Sequence, residues 1–437
     1  MSQTTTADKP FRTMLSRFDL SSVRMPLMLS FLNQLVGSGG NFLIGIYLAR
    51  TLPLEGFGLY GIGFGICMLY VGVGNAVILT QMAVNMADRA PDEKERYAAR
   101  MLFAVLIMGA ISLAFTLAGL VVVALLAPHA VTHPSGVMMP VLAIALASAL
   151  FLCNEFFGSY AYLKRKEGLA LGVNASMMLV LFSALAIERL RGIPPSAEHV
   201  FLYYALGAAS GSIVAYLVSP LSLRRGLGSL IPDYLESWRH GRWALGGVLV
   251  TWVQSQAYTY VLAAFLGAAG VGLANAARIF ISPVTFLLPA INKVAIPRLA
   301  ELRRNNPQRM LLLSMSLTTA MSMLAVLYSL ALSTSLDFMM ELVLGRHDPR
   351  IASLVWIWCL VLVVQMTRSG GSVLMQVQRK FRLLTLLNIP SVVITIVAAV
   401  LLIRAFGVVG AIWGMLIGEV VLSAFIWREI RHAKNNG

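Results

Sequence analysis

Residues 48–59 read Leu-Ala-Arg-Thr-Leu-Pro-Leu-Glu-Gly-Phe-Gly-Leu, and residues 262–273 read Leu-Ala-Ala-Phe-Leu-Gly-Ala-Ala-Gly-Val-Gly-Leu. Six positions are identical at a constant offset of 214 residues: Leu48, Ala49, Leu52, Gly56, Gly58 and Leu59 match Leu262, Ala263, Leu266, Gly270, Gly272 and Leu273. The same offset pairs Arg165, Lys166, Leu169 and Asn174 with Arg379, Lys380, Leu383 and Asn388. Because the offset is close to half the chain length, the sequence indicates a duplicated unit.

The composition is that of a membrane protein. Of 437 residues, 58% are hydrophobic and 12% are charged, and the mean hydropathy is +0.78, whereas a soluble domain carries about 25% charged residues. The net charge of +15 comes from basic residues that lie between apolar runs. This placement favours topology signals and contacts with anionic lipids, and it argues against a nucleic-acid partner.

Runs of about 20 apolar residues predict twelve membrane spans. They lie at residues 26–49, 57–86, 101–127, 137–163, 169–187, 199–221, 243–266, 272–297, 310–336, 351–377, 383–403 and 407–427. Residues 10–24 mix apolar and basic side chains, which predicts an amphipathic helix on the membrane surface. No cleavable signal peptide is predicted, because the first apolar run is too long and lacks a small-residue cleavage site.

The distribution of basic residues predicts the topology. With the N-terminus in the cytoplasm, 25 of the 34 Lys and Arg residues lie on the cytoplasmic side and six lie in outer loops, as the positive-inside rule requires. The predicted fold is therefore an all-α polytopic protein with both termini cytoplasmic and two six-helix bundles related by a pseudo-twofold axis along the membrane normal. The predicted parts are a cytoplasmic segment at 1–25, bundles at 26–221 and 243–427, a cytoplasmic linker at 222–242 and a tail at 428–437.

Catalytic chemistry has little support in the sequence. Cys67, Cys153 and Cys359 all lie inside apolar runs, without disulfide or metal-ligand spacing, and no nucleophile motif or phosphate-binding loop is present. We therefore predict no catalytic residue, no metal and no cofactor. A membrane polymerase or ligase acting on lipid-linked sugars remains an alternative, but the short outer loops favour a carrier.

Charged residues inside the predicted spans are candidate binding residues, because a charge at the bilayer centre costs at least about 2.5–3.5 kcal/mol. On a straight span 8, Arg278 and Lys293 would point within about 60° of each other, with Arg298 below them at the inner mouth. Together with Arg368 of span 10 they predict a cation-lined cavity for an anionic, phosphate-like group. The alternative is that these side chains snorkel to the membrane surface.

Two acidic residues are candidates for ion coupling, Glu155 in span 4 and Glu419 in span 12. At the repeat offset Arg368 corresponds to Asn154 and Glu155 to Ser369. Glu155 and Arg368 are therefore expected at equivalent depth on either side of the pseudo-axis, where they would pair, share a ligand or lock the bundles together.

Polar residues on spans 1 and 7 are expected to complete the cavity: Asn33, Gln34, Asn41, Gln254 and Gln256, with Asn154 on span 4. The glycine-rich run at 37–40 indicates bending or close packing of span 1. Pro283, Pro289 and Pro297 predict a kinked span 8, since each removes a backbone donor.

The segment Leu-Ala-Arg-Thr-Leu-Pro-Leu-Glu-Gly-Phe-Gly-Leu-Tyr, which joins spans 1 and 2, resembles the corresponding junction of one transporter family. This is the polysaccharide-transporter branch, with its Wzx-like O-antigen flippases, of the multidrug/oligosaccharidyl-lipid/polysaccharide exporter superfamily. Pro53 stands where that family usually has glycine. The resemblance implies a flippase that moves an undecaprenyl-pyrophosphate-linked oligosaccharide across the bacterial inner membrane for lipopolysaccharide or exopolysaccharide synthesis. It also implies a V-shaped pair of bundles with cationic residues that meet the pyrophosphate.

Two other carriers compete with this interpretation. A cation-coupled multidrug antiporter of the same superfamily would share the fold, but spans 1 and 7 contain no acidic residue. A major-facilitator carrier also has twelve spans, but its loop motif is absent after span 2. The expected partners are the lipid-linked oligosaccharide, membrane lipids and polysaccharide-assembly enzymes, and we expect a monomer.

Overall fold

The computed structural model describes residues 20–87, 89–126, 138–221 and 230–435, which are helical apart from short connections and include no strand. In the N-terminal half, α1 comprises Leu20–Gln34, Leu35–Gly39 and Gly40–Thr51, and α2 comprises Leu54–Gly74, Asn75–Leu79 and Thr80–Ala87. They are followed by α3 (Pro91–Leu126), α4 (Met138–Leu163), α5 (Glu167–Leu190) and α6 (Ala197–Val218).

The C-terminal half begins with the helix Leu230–Ile279, which Gly267 interrupts with φ 68° and ψ −172°. We call the part before Gly267 α7 and the part after it α8, which continues as Ser282–Thr285 and Leu287–Asn305. Then follow α9 (Pro307–Thr334), a short helix (Leu336–Leu344), α10 (Pro349–Val377), α11 (Phe381–Phe406) and α12 (Val408–Asn435).

Ten helices in the described part of the chain are long and apolar enough to cross a membrane, and one of them, Ala244–Ile279, contains both α7 and the start of α8. The remaining predicted spans are α1 and the rest of α8. The protein is therefore a multi-pass membrane protein, with the predicted twelve helices in two lobes. We call the end where α1 begins and α12 ends the basic end, since the connections predicted to be cytoplasmic lie there, and the other the opposite end.

The duplicated junction places two glycines against each other where α2 and α8 cross. A Cβ atom on Gly58 would overlap the carbonyl oxygen of Ala268, and one on Gly272 would overlap the carbonyl oxygen of Leu54. These two contacts are related by the repeat, because Leu54 and Ala268 are themselves equivalent positions. The repeated glycines thus allow the backbones of the two lobes to touch near the pseudo-axis.

A second pair of repeated residues ends two equivalent helices. Arg165 after α4 and Arg379 after α10 have φ angles of 55° and 63°, the only positive values among the described non-glycine residues. In each case the next residue donates its N–H five positions back, from Lys166 to Ala161 and from Lys380 to Met375, at 2.9 Å. This is the Schellman arrangement, so the duplication preserves backbone geometry as well as residue type.

The hydrophobic core is shared at the opposite end and divided at the basic end. One buried cluster joins both lobes and includes Ile44, Leu48, Val284 and Trp358. Towards the basic end the N lobe has its own cluster around Met82, Met101 and Phe156, and the C lobe has separate clusters around Leu299 and Met375. The lobes are therefore held together mainly at the opposite end.

Two other contacts close the opposite end. The rings of Phe42 on α1 and Phe286 on α8 meet edge to face with centroids 5.7 Å apart. The guanidinium of Arg50, at the end of α1, lies against Gly345 of the C lobe.

A continuous seam joins α2 to α7. The indole of Trp252 donates to the carbonyl oxygen of Gly65 at 3.3 Å, and Gly241 lies against the backbone of Val77. At the basic end, Asp233 forms ion pairs with Arg89 and Arg100. The N-terminal part of α7 is therefore fastened to the N lobe, although the rest of the helix belongs to the C lobe.

The linker predicted at 222–242 is not separate from the helix that follows it: from Leu230 onwards it is continuous with α7. Residues 222–229 lie outside the described residues. The helix predicted at 10–24 is also mostly outside them. Short turns at residues 280–281 and 286 accompany the prolines of span 8, and Ile281 and Phe286 keep right-handed helical φ and ψ angles. Most of the glycine run of span 1 lies in the π-helical turn Leu35–Gly39. The residue boundaries of the predicted domains stay predictions.

Candidate functional site

Arg278 lies in the part of α8 that faces α7 and α10. Its guanidinium donates to the hydroxyl of Tyr258 at 2.9 Å, and that hydroxyl donates to Asn275 at 3.0 Å. The same guanidinium stands 5.7 Å from the ring centroid of Tyr258 and 5.4 Å from that of Trp358. Among the described residues no carboxylate pairs with Arg278, so this partly exposed cation is held by neutral groups alone.

The second cation of the C lobe, Arg368, is neutralised within its own lobe. Its Nε atom donates to Glu419 at 2.7 Å, and the Glu419 side chain is only 2% exposed. Gln365 donates to the other carboxylate oxygen at 3.3 Å. Of the alternatives left open for Arg368, an ion pair with Glu155 is not formed, because α12 places Glu419 against Arg368.

The cationic column expected on span 8 stays a prediction. It assumed regular helical rotation between Arg278 and Lys293, and short turns at Phe280–Ile281 and Phe286 lie between them. Arg298 lies on the last segment and is exposed. The side chain of Lys293 lies outside the described residues, so its assignment to the cavity stays a prediction.

In the N lobe, the predicted polar residues form a chain of neutral amides. Asn174 donates to Asn33 at 2.8 Å, and Asn33 donates to Tyr162 at 2.8 Å. Asn154 donates to Asn174 at 3.3 Å, and its own amide oxygen is buried without a described partner. The chain ties α1, α4 and α5 together, so a structural role accounts for Asn33 and most of Asn154.

Three other predicted residues have hydrogen-bond partners within the N lobe or on their own helix. Gln34 donates to Ser38 one turn along α1 at 2.7 Å. Asn41 accepts from the buried hydroxyl of Tyr204, which lies 3.4 Å from that of Tyr60. Gln256 accepts from Thr259 at 3.2 Å.

Two predicted residues lack partners among the described ones. Gln254 is 4% exposed, and neither its amide nitrogen nor its amide oxygen has a hydrogen-bond partner. Glu155 is partly exposed, and no described cation lies within ion-pair distance of it. Unpaired polar groups of this kind are costly in a membrane interior, so both remain candidates for binding.

The structure adds residues that the sequence did not single out. A small pocket lies between α8, α9 and α10, and its polar lining is Asn292, Ser314, Thr318 and Ser369. Tyr258 and Trp358 hold Arg278, and Gln365 donates to Glu419, the carboxylate that pairs with Arg368. Aromatic residues inside an apolar run look like ordinary core in a sequence, so no local signal distinguishes them; Asn174 was visible only as a repeated position.

The described residues contain no group of three or more His, Cys, Asp or Glu side chains that could hold a metal ion. The buried ionisable groups instead form pairs such as Arg368 with Glu419. Such a pair is neutralised internally, so Arg278, which has no described carboxylate partner, is the group suited to an anionic ligand.

No protein-family model matches the chain, and no curated protein sequence matches it. Solved structures do match its fold. An inward-facing multidrug resistance MATE family transporter of the MOP superfamily aligns with a TM-score of 0.69 at 14% identity, over 92% of this chain and 95% of the other. The lipid II flippase MurJ, in an inward closed conformation, aligns with a TM-score of 0.72 at 10% identity, over 93% and 87%.

The chain has the two-lobe fold of these transporters. An outward-facing MATE family transporter aligns less well, with a TM-score of 0.62 at 13% identity over 94% and 96%. The similarity shows the fold alone, so membership of the polysaccharide-transporter branch stays a prediction.

Proposed function

We propose that the protein is a flippase that moves an undecaprenyl-pyrophosphate-linked oligosaccharide across the bacterial inner membrane by alternating access. Its termini and basic end face the cytoplasm, and the product serves the synthesis of O-antigen or another exported polysaccharide. The partners that follow are the lipid-linked sugar, membrane lipids and the assembly enzymes that use the product. We expect the protein to carry out transport as a monomer.

The observation that carries the proposal is the uncompensated charge of Arg278. A guanidinium in a membrane interior that is held by a phenol and two aromatic faces still needs an anion for favourable burial. A pyrophosphate supplies one, and it matches the planar donor fork of arginine. Glu419 already neutralises Arg368, so Arg278 is the described cation of the C lobe best suited to meet the ligand.

The fold supports a transport cycle rather than a fixed binding site. The lobes share a core at the opposite end and have separate cores at the basic end. A lipid-linked anion could therefore enter from the basic side and leave after the lobes rock about the α2–α7 seam. The MurJ neighbour, a lipid II flippase by its description, has this fold and a lipid-linked substrate.

Cation-coupled drug antiport is the second candidate, and one observation favours it. Glu155 lies in the N lobe without a described cationic partner, which is an environment suited to a proton or a cationic substrate. The MATE neighbours are multidrug transporters by their descriptions. Arg278 argues against this candidate, because a fixed cation would repel a cationic drug.

A transport assay in proteoliposomes distinguishes the two candidate functions. We expect the wild type to expose an undecaprenyl-pyrophosphate-linked sugar on the far leaflet, and Arg278→Gln to flip it about 10- to 100-fold more slowly, the loss expected for one charge-assisted contact. Arg404→Gln, which removes an exposed charge at the end of α11, is the matched control and should flip normally.

Each contrary result has a clear meaning. Equal rates for Arg278→Gln and the control would remove Arg278 from the site. Transport of a cationic dye without movement of the lipid-linked sugar would replace the flippase by an antiporter.

A further inference from the structure

An open pocket lies at the basic end of the C lobe, where α8 and α10 end and α11 begins. Its polar lining includes Arg303 of α8, Gln376 near the end of α10, and Arg379 in the turn between α10 and α11. The Nη1 atom of Arg303 donates to the carbonyl oxygen of Val377 at 2.7 Å. Because a guanidinium has five N–H donors, this bond holds the side chain at the pocket and leaves other donors for a ligand.

The pocket has an excess of positive charge. Neither Arg303 nor Arg379 has a carboxylate partner among the described residues. Glu301 also lines the pocket, but it is exposed and forms no ion pair with either arginine. The neighbouring cation, Lys380, faces Glu429 at 3.8 Å. Two guanidinium groups against one carboxylate leave the lining with a net charge of +1, and arginine N–H groups match the geometry of a phosphate.

The start of α11 adds the positive end of a helix to the same pocket. The helix begins at Phe381, which lines the pocket, and it has neither a side-chain cap nor an acidic residue in its first turn. The free N–H groups at a helix N-terminus carry a partial positive charge and bind phosphate groups. The helix end and the two arginines therefore favour the same kind of ligand, an anion.

The N lobe has the corresponding cationic groups, but its own carboxylates neutralise them. At the repeat offset of 214 residues, Arg303 corresponds to Arg89 and Phe381 to Glu167. Arg89 pairs with two carboxylates of α7, the nearer at 3.2 Å, and Glu167 places a carboxylate in the first turn of α5. Among the described residues, the C lobe keeps the cations and lacks these carboxylates. An anion from outside the chain can take their place.

The apolar part of the pocket indicates which anion this is. The side chain of Phe381 is 57% exposed beside the arginines, and the lining also includes Ile296 and Ala300. An aromatic ring next to basic residues at the ends of membrane helices is typical of the membrane–water interface. A lipid headgroup would contact both the cations and the ring, whereas free phosphate would gain nothing from Phe381.

We propose that Arg303, Arg379 and the start of α11 bind the phosphate group of an anionic phospholipid in the leaflet at the basic end. Phe381 packs against the glycerol and the first acyl carbons of this lipid. The site is separate from Arg278, and the proposal does not rest on the proposed transport function.

The first experiment measures lipid binding to the full-length protein in a neutral detergent. Short-chain phosphatidylglycerol is titrated against the protein by calorimetry, with short-chain phosphatidylcholine as the zwitterionic comparison. We expect Arg379→Gln to weaken phosphatidylglycerol binding about tenfold, the loss of one charge-assisted contact. The matched control is Arg165→Gln, because Arg165 is exposed in the same left-handed turn at the equivalent position of the N lobe. This variant should bind the lipid as the wild type does.

A second variant tests the comparison between the lobes without removing either arginine. Phe381→Glu gives α11 the carboxylate that Glu167 provides in α5, so we expect it to weaken phosphatidylglycerol binding at least about tenfold. Both Arg379 and Phe381 are exposed, and both variants keep the bond from Arg303 to Val377. Thermal unfolding without added lipid should therefore match the wild type and separate a loss of binding from a loss of folding.

Three results would overturn the proposal. The first is unchanged phosphatidylglycerol binding in Arg379→Gln or in Phe381→Glu. The second is equally tight binding of phosphatidylcholine, which would show that the net charge of the lipid is not recognised. The third is binding of inorganic pyrophosphate as tight as that of phosphatidylglycerol, which would make the pocket a site for free phosphate. Weak binding of pyrophosphate with tight, arginine-dependent binding of phosphatidylglycerol would support it.

Discussion

The two lobes have the same backbone geometry at equivalent positions, but they differ in the charged residues that they bury. Arg165 and Arg379 end equivalent helices with the same left-handed turn, and Gly58 and Gly272 make equivalent contacts. At other equivalent positions the side chains diverge: Arg368 and Glu419 of the C lobe correspond to Asn154 and Ala205 of the N lobe. A single ancestral bundle thus explains the architecture, but not the chemistry.

The C lobe carries arginines where the N lobe has uncharged residues. Arg278, which occupies the position of Phe64 in the repeat, has no cationic counterpart in the N lobe. The polar chain of the N lobe consists of amides and phenols, whereas that of the C lobe centres on guanidinium groups. The C lobe therefore has the chemistry for an anion. In the N lobe, Glu155 is partly exposed and Glu188 is buried, and neither has a described Lys or Arg partner.

The largest expected difference between the lobes comes from breaking the Arg368–Glu419 pair. Glu419→Gln leaves Arg368 without its carboxylate, and removal of one partner of a buried pair costs about 3–5 kcal/mol. Thermal unfolding in detergent should show this loss as a lower transition temperature. Asn154→Ala, at the position equivalent to Arg368, should cost about 1–3 kcal/mol because only a neutral amide is lost.

A double variant sharpens this result. Arg368→Gln combined with Glu419→Gln removes both charges, so it should be more stable than Glu419→Gln alone. If the double variant is no more stable, the pair does not account for the stability of the C lobe. If Asn154→Ala costs as much as Glu419→Gln, the contrast between the lobes disappears.

The sequence predicted the scaffold well because span length, positive-inside bias and the repeat are properties of the chain itself. The ends of α4 and α10 were predicted at Leu163 and Val377, where the structure has them. The partner of Arg368 was not predictable, since it depends on the rotation of α12 about its axis. The turns within α8 lie near Pro283 and Pro289, where the sequence predicted kinks, because each proline removes a backbone donor.

The repeated glycine contacts lead to a second prediction, with a smaller expected loss of stability. Gly58→Ala and Gly272→Ala each place a methyl group against a carbonyl oxygen of the other lobe, so each should destabilise the protein by about 1–3 kcal/mol through overpacking. The two losses should be similar, since the contacts are related by the repeat. Thermal unfolding of both variants in the same detergent measures this.

Gly45→Ala is the matched control for the glycine variants. It lies in α1 with open space at its Cβ position, so alanine should stabilise the helix by about 0.5–1 kcal/mol. Strongly unequal losses at Gly58 and Gly272 would show that the crossing is not symmetric.

The smallest expected effect concerns the two left-handed arginines. Because an L-residue in this conformation is strained and glycine is not, Arg165→Gly and Arg379→Gly should each stabilise the protein by about 0.5–1 kcal/mol, after the greater entropy of glycine in the unfolded chain is subtracted. Lys166→Gly is the control: Lys166 has a φ of −111°, so glycine relieves no strain there and should be neutral or destabilising. A gain at one arginine without the other would mean that one lobe keeps its arginine for a contact beyond the backbone, such as an anionic lipid headgroup at the basic end. Equal gains at both positions would instead mean that the turn is inherited scaffold in both lobes, and that side-chain chemistry alone separates them.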